Sequence, residues 1–175
     1  MKTIQKEYQV YTFNELDQKA KDKARDTFNE HNDATPFLQD DLREYIHEEL
    51  KERGYEVLGL STSAKPSIRP MYSLSYSQGD GLMFEGTLQD KDGNEYTIEH
   101  NGRYYHERST SITGQDKDGN EIDTKDFEEQ VYIPICKAVA QRGYDELEYQ
   151  ASEESFQQTC EANEYTFLSD GTMFN

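Results

Sequence analysis

Met71-Tyr-Ser-Leu-Ser-Tyr-Ser-Gln-Gly-Asp-Gly-Leu-Met-Phe-Glu-Gly86 alternates apolar with small polar residues, turns at Gln78-Gly79-Asp80-Gly81, and alternates again. A two-residue period on both sides of a Gly-Asp-Gly turn is the pattern of an antiparallel hairpin. The chain before it has helical periodicity, and the chain after it continues as strands and then returns to helix. This order predicts an α+β fold, a small antiparallel sheet of hairpins packed by N-terminal and C-terminal helices, in a single domain over residues 1–175.

Upstream, residues 8–13 alternate like a short strand, with Tyr8 and Val10 on one face. Asn14 is the expected N-cap of a helix over 15–30, whose apolar stripe is Leu16, Ala20, Ala24 and Phe28; residues 31–34 break it. Thr35 before Pro36 signals a second helix start. That helix should run to Arg53, stop at Gly54, and bury Leu38, Leu42, Tyr45, Ile46 and Leu50. Residues 55–60 read as a strand and 61–70 as a Ser- and Pro-rich loop.

Downstream, a strand is expected near Thr87, then strands over 95–99 and 104–112 joined at Asn101-Gly102. The heptapeptide Gln-Asp-Lys-Asp-Gly-Asn-Glu occurs at 89–95 and again at 115–121. A calcium loop would need acids at positions 1, 3 and 5 before its Gly at position 6. Leu88 or Gly114 would then hold position 1, so both copies read instead as Asp-Gly hairpin turns. From Thr124 the helical period returns with Phe127, Val131, Ile135 and Val139, ending at Gly143, and Pro134 should kink or split it. A short helix over 144–150 is expected next, then one over 153–163 capped by Ser152, with Phe156 and Cys160 inward. Residues 165–168 and 172–174 should close a small hairpin through 169–171.

Leu, Ile, Val and Phe make up roughly 18% of the chain, a fraction that with high net charge points towards disorder. The thirteen Tyr and the regular apolar periods oppose this, so the chain reads as a folded domain with a modest core. Acids outnumber bases 36 to 18, for a net charge of −18. Such a surface disfavours direct contact with nucleic acid or an anionic membrane, and favours a basic partner. Two cysteines, Cys136 and Cys160, do not make a disulfide framework or a metal motif. The polar start and the lack of a long apolar run predict a cytoplasmic protein.

Gln78, Asp80, His106 and Glu107 are the polar residues of the two most distinctive segments. Were their strands neighbours, Asp80 and His106 would be placed to act as an acid/base pair or as metal ligands. The structural alternative is that Gly79-Asp80-Gly81 serves turn geometry and that His106 and Glu107 lie on alternate faces of a strand. No nucleophile triad, phosphate-cradling loop, HExxH or CxxC is present, so the reading is of a protein that is not an enzyme, with no catalytic residue, metal or cofactor.

Four ordered motifs resemble a widespread group of small proteins from bacteriophages and other mobile elements, some of them labelled antitoxin of a toxin–antitoxin stability system. They are Phe-x-Glu-Leu-x-x-x-Ala-Lys-x-x-Ala-Arg at 13–25, Ser-Gln-Gly-Asp-Gly-x-x-Phe-Glu-Gly at 77–86, Gly-x-Tyr-Tyr-His-Glu-x-Ser-Thr at 102–110, and Ala-Asn-Glu-Tyr-x-Phe-x-x-Asp-Gly at 162–171. The chain departs from the group in lacking Trp and in the 61–70 stretch, which reads as an insertion. The resemblance implies an α+β fold and a phage or plasmid origin, and no settled activity.

Asp41, Glu44, Glu48 and Glu52 fall three, four and four residues apart, a single line of carboxylates on the second helix. Like charges at this spacing cost a helix a little stability, so the line is either tolerated or used. A second concentration, Asp145, Glu146, Glu148, Glu153, Glu154, Glu161 and Glu164, lies after Gly143 in a stretch without Lys or Arg. Carboxylates about 5–6 Å apart between Cβ atoms can occupy a groove built for a phosphate backbone. The expectation is an anti-defence protein that binds a host nucleic-acid-binding protein by mimicry, a CRISPR effector fitting that description. An antitoxin that neutralises a toxin, and a small enzyme or metal-binding protein using Asp80 and His106, are the alternatives.

Overall fold

The computed structural model describes residues 6–31, 35–59 and 67–174, and the side chains of 35–37 lie outside that description. The fold is α+β, as the alternation of periods predicts. The chain groups into two compact units, one of residues 35–145 and one of residues 1–34 with 146–175.

The larger unit is built on a six-stranded antiparallel sheet. Its strands are β1 (Glu56–Leu58), β2 (Ile68–Ser73), β3 (Gly81–Gln89), β4 (Glu95–His100), β5 (Thr110–Gln115) and β6 (Glu121–Ile122). β3 is the central element. One of its edges carries β2 and then β1 end to end, with Ile68 opposite Gly86 and Leu58 opposite Thr87. Pro70 lies in β2, so the loop expected to reach residue 70 ends before Ile68; residues 60–66 lie outside the described part. The expected strand near Thr87 is the second half of β3 itself. Leu82, Met83 and Phe84 are all buried, which marks the middle of β3 as covered on both faces.

The two copies of the heptapeptide form the same turn. Asp90 accepts the main-chain N–H of Asp92 and of Asn94, each at 2.9 Å, and Asp116 accepts those of Asp118 and Asn120 at 2.9 and 2.8 Å. Each closes a hairpin, β3–β4 and β5–β6, as the Asp-Gly signal predicts.

Helix α2 (Thr35–Glu52) packs on β1 and β2. Leu38, Leu42, Ile46 and Leu50 are at most 1% exposed, and burying such side chains contributes about 1.5–3 kcal/mol each. The expected cap at Thr35 lies outside the described side chains. At the far end Tyr55 N–H reaches Leu50 O at 2.9 Å and Gly54 N–H reaches Lys51 O at 3.1 Å, with Gly54 at φ +80°. These two bonds are a Schellman stop, and Gly54 supplies its left-handed residue.

The downstream helix meets expectation at one of its punctuation marks and departs from it at the other. A single turn α3 (Lys125–Phe127) passes through a wider π turn, Glu128–Tyr132, into α4 (Ile133–Ala151). Pro134 therefore sits in the first turn of α4, directly after a π turn that interrupts the α-helical register, so the helical stretch is divided there as the proline predicts. Gly143 does not end α4. It is buried where a Cβ would lie 2.6 Å from Leu74 Cδ1 and 3.2 Å from Leu42 Cδ2, so it is a close-approach residue inside the helix. The expected separate helix over 144–150 is the continuation of α4, and the boundary of the two units falls within it.

In the smaller unit, residues 8–13 do not form a strand: Tyr11 makes one bridge to Phe167, and Phe13–Glu15 is a 3-10 turn. Thr12 and Glu15 form a capping box around that turn, and the chain enters α1 (Gln18–His31) only afterwards. Asp17, rather than Asn14, caps α1 by accepting Ala20 N–H at 2.9 Å. Phe13, Leu16, Ala20, Ala24, Phe156, Cys160 and Phe167 form this unit's core. Ser152 caps α5 (Glu153–Ala162) as expected, its hydroxyl accepting Ser155 N–H at 3.2 Å. The C-terminal hairpin is confirmed by the Phe167–Met173 bridge.

Candidate functional site

The carboxylate line is carried by a rigid support. On α2 the buried face faces the sheet, and the positions between its members turn outward: Glu44, Glu48 and Glu52 are exposed and Asp41 is half-buried. One base interrupts the line. Arg142, from α4, pairs with Glu48 at 3.3 Å and with Glu49 at 3.7 Å, and its guanidinium lies 4.7 Å from the centre of the Tyr45 ring. Glu49 is further held by Arg53. Asp145 is exposed at the end of the same unit and accepts a 2.8 Å bond from Gln141.

The other acids of the C-terminal set belong to the smaller unit. Glu148, Glu154, Glu161 and Glu164 are exposed, and Glu146 and Glu153 are half-buried. Glu153 takes a 3.3 Å bond from Gln18 and lies 3.9 Å from Arg25, while Glu161 accepts from Asn14 at 3.2 Å and from Gln157 at 2.9 Å. Glu146 accepts a 2.7 Å bond from Gln150. The same unit holds a groove of about 400 Å³ between α1 and the terminal hairpin, lined by residues that include Ala24, Phe28, His31, Tyr165 and Met173.

Asp80 lies at the foot of the loop joining β2 to β3, and that loop is built on its carboxylate. Its oxygens accept Ser73 Oγ–H at 2.7 Å, the main-chain N–H of Ser75 at 2.6 Å and of Ser77 at 2.8 Å, and the hydroxyls of both latter serines. These bonds to the charged form, the Ser77 backbone N–H foremost, hold Asp80 well below the usual carboxylate range. It is an ionised anchor for its own loop.

The segment 101–109 is a loop and not the strand expected over 104–112; β5 begins only at Thr110. Its ends are tied by Asn101 N–H to Ser109 O at 2.8 Å. It does lie against the hairpin turn, as the pairing of the two segments required. A Cβ on Gly79 would fall 2.8 Å from the Tyr104 ring, and one on Gly81 would fall 2.9 Å from His106 Cβ and 3.7 Å from Glu107 Oε2. Gln78 is exposed on the rim of the shallow cleft, about 370 Å³, between these loops. His106 Nδ1 accepts Arg108 N–H at 3.1 Å, and Glu107 faces Lys137 at 3.8 Å. Among the described residues no hydrogen bond joins Asp80 to His106 and no cluster of three His, Cys, Asp or Glu is placed to hold a metal ion. The two residues lie in neighbouring loops, Asp80 bonded to the serines of its own loop and His106 to Arg108 N–H.

What sequence reasoning missed here is the serine set and the tyrosine it surrounds. Ser-x-Ser-x-Ser-x-x-Asp, at 73–80, is a legible signal for side chain-to-backbone bonding in a turn. Tyr76 stacks on Tyr144 of α4, ring centroids 4.5 Å apart.

Both cysteines are buried, and burial pushes the Cys160 thiol up to about 11 and Cys136 higher still, so neither is a ready nucleophile. No helix in the described residues is long and apolar enough to cross a membrane. Comparison with known protein families, with curated proteins and with solved structures finds no match for this chain.

Proposed function

We propose that this protein is an acidic inhibitor of phage type that occupies the basic groove of a host nucleic-acid-binding protein in the host cytoplasm, a CRISPR effector being a partner of the required chemistry. The resemblance of its four motifs to the mobile-element group supplies the setting. The observation that carries the reading is the outward line of Glu44, Glu48 and Glu52 on a helix whose opposite face is fully buried. Carboxylates fixed on a packed helix meet a row of cations with little ordering left to lose. The net charge of −18 adds long-range attraction to a cationic groove and repels nucleic acid itself. Asp145 extends the surface of the larger unit, and Glu146, Glu148, Glu153, Glu154, Glu161 and Glu164 form a second surface on the smaller one.

The test is charge reversal in two separate sets, Glu44/Glu48/Glu52 to Lys and Glu153/Glu154/Glu161 to Lys, each checked for retained fold by circular dichroism. Loss of salt-sensitive binding to a purified partner in either set supports the reading. Unchanged binding in both refutes it.

A further inference from the structure

Two loops meet at one end of the sheet in the larger unit, residues 74–80 between β2 and β3 and residues 101–109 between β4 and β5. Ser-Leu-Ser-Tyr-Ser-Gln-Gly-Asp at 73–80 and Asn-Gly-Arg-Tyr-Tyr-His-Glu-Arg-Ser at 101–109 are rich in Tyr, Ser, Gly and Arg. Protein-recognition loops favour these residue types. Tyr offers a large contact area at small entropic cost, small polar residues adapt their bonding, and Arg makes several bonds at once. Both loops are fixed before any partner arrives. Asp80 accepts the main-chain N–H of Ser75 and of Ser77, and Asn101 N–H closes the second loop on Ser109 O. The Tyr104 ring lies so close to Gly79 that a Cβ there would fall 2.8 Å from it, which seats one loop on the other. Surfaces held in this way lose little entropy on binding.

Charge singles out the second loop. Arg25, Arg43, Arg53, Arg69 and Arg142 each pair with a carboxylate. Among the described residues no ion pair reaches Arg103 or Arg108, although acids outnumber bases 36 to 18. Both arginines are exposed. The Arg103 guanidinium lies 5.7 Å from the centre of the Tyr104 ring, and with exposed Tyr104 and Tyr105 it lines the cleft between the loops. The carboxylates of the two loops are engaged already, Asp80 by its serines and Glu107 by Lys137 at 3.8 Å. A guanidinium in this position presents its N–H fork for two-point bonding to a carboxylate from outside.

We propose that these loops form a protein-binding face, made of other residues than the α2 line, in which Arg103 takes an Asp or Glu side chain of the partner and Tyr104 and Tyr105 cover an apolar residue beside it. A protein segment fits this face better than nucleic acid does. The net charge of −18 repels a phosphate backbone along its whole length, and a single carboxylate far less.

The test is selection from a random dodecapeptide library on the immobilised protein at about 0.15 M salt, with the selected peptides then measured by fluorescence anisotropy. The expected result is a class of peptides with Asp or Glu beside an apolar residue, bound at least about ten-fold more weakly by Arg103→Gln than by the wild type. Arg103→Lys should recover only part of that affinity, and Tyr105→Ala should also weaken the class. Glu44→Lys with Glu48→Lys should bind it no more weakly than the wild type does. Arg103 and Tyr105 are exposed, so these variants should keep the fold, as read by circular dichroism. A selection without an acidic class, or an acidic class that Arg103→Gln binds as tightly as the wild type, overturns the proposal and leaves the α2 surface standing. Tighter, Arg103-dependent binding of an oligothymidylate also overturns it, because the cleft would then be a phosphate site.

Discussion

Arg142 of α4 reaches Glu48 of α2 at 3.3 Å and so places a cation within the carboxylate line. Both side chains are about half exposed, and a pair of this kind contributes under about 1 kcal/mol to stability. Its effect on binding should be larger than its effect on folding. Arg142→Gln should move the urea midpoint little, and should raise affinity for a cationic partner or peptide by about two- to five-fold at low salt. Titrations at two salt concentrations check both the gain and its electrostatic origin.

Tyr132 makes the most consequential buried polar contact in the larger unit. Its hydroxyl accepts Phe84 N–H and donates to Phe84 O, both at 3.2 Å, beyond Gly86–Ile98 where the β3–β4 ladder ends. One phenol thus satisfies both main-chain groups of a buried strand residue, and burial drives its pKa far above the ordinary tyrosine value. Tyr132→Phe leaves both groups unpaired and should cost about 1–3 kcal/mol in urea unfolding.

Asp80 sets a pH signature. Its folded pKa lies below its unfolded one, so the stability it contributes is present above the unfolded Asp value of about 3.9 and is lost as pH falls through the lower folded value. Asp80→Asn should remove this contribution. Between pH 5 and 8 the amides of Ser75 and Ser77 should exchange faster in the variant than in the wild type. As pH falls below the folded pKa the two proteins should converge, as read by hydrogen exchange.

Gly171 is a close-approach residue of the smaller unit. It has φ +83°, and a Cβ there would collide with the Ala20 carbonyl of α1. Two penalties coincide, left-handed strain and a clash with backbone that cannot swing aside. Gly171→Ala should cost more than about 2 kcal/mol in thermal or urea unfolding.

These positions also show what was legible in the residues. The hairpin pattern of 71–86, the repeated Asp-Gly turns and the apolar faces of α1, α2 and α5 all rest on local periodicity, and each appears in the fold. The errors arise where tertiary contact overrides a local sign. Gly143 reads as a stop, yet it is a packing glycine against Leu42 and Leu74. Residues 104–112 read as one strand, but the Asn101–Ser109 bond closes 101–109 into a loop against Gly79 and Gly81, and the strand begins at Thr110. Asn14 reads as a cap, while a capping box one step earlier delays the helix to Asp17. In the candidate site, the carboxylate spacing was readable because a helix fixes it. The Arg142 pairing and the Tyr76–Tyr144 stack depend on chain segments far apart in sequence, which no local pattern encodes.

The central claim is that the line on α2 takes the place of a phosphate backbone. The most direct measurement is competition: a partner captured by the wild-type protein is purified, and its binding is titrated with duplex and single-stranded DNA. The expected result is a nucleic-acid-binding partner that DNA displaces, and that Glu44→Lys/Glu48→Lys/Glu52→Lys binds at least about ten-fold more weakly. A partner that binds the reversed variant equally well, at a site that DNA does not contest, would contradict it.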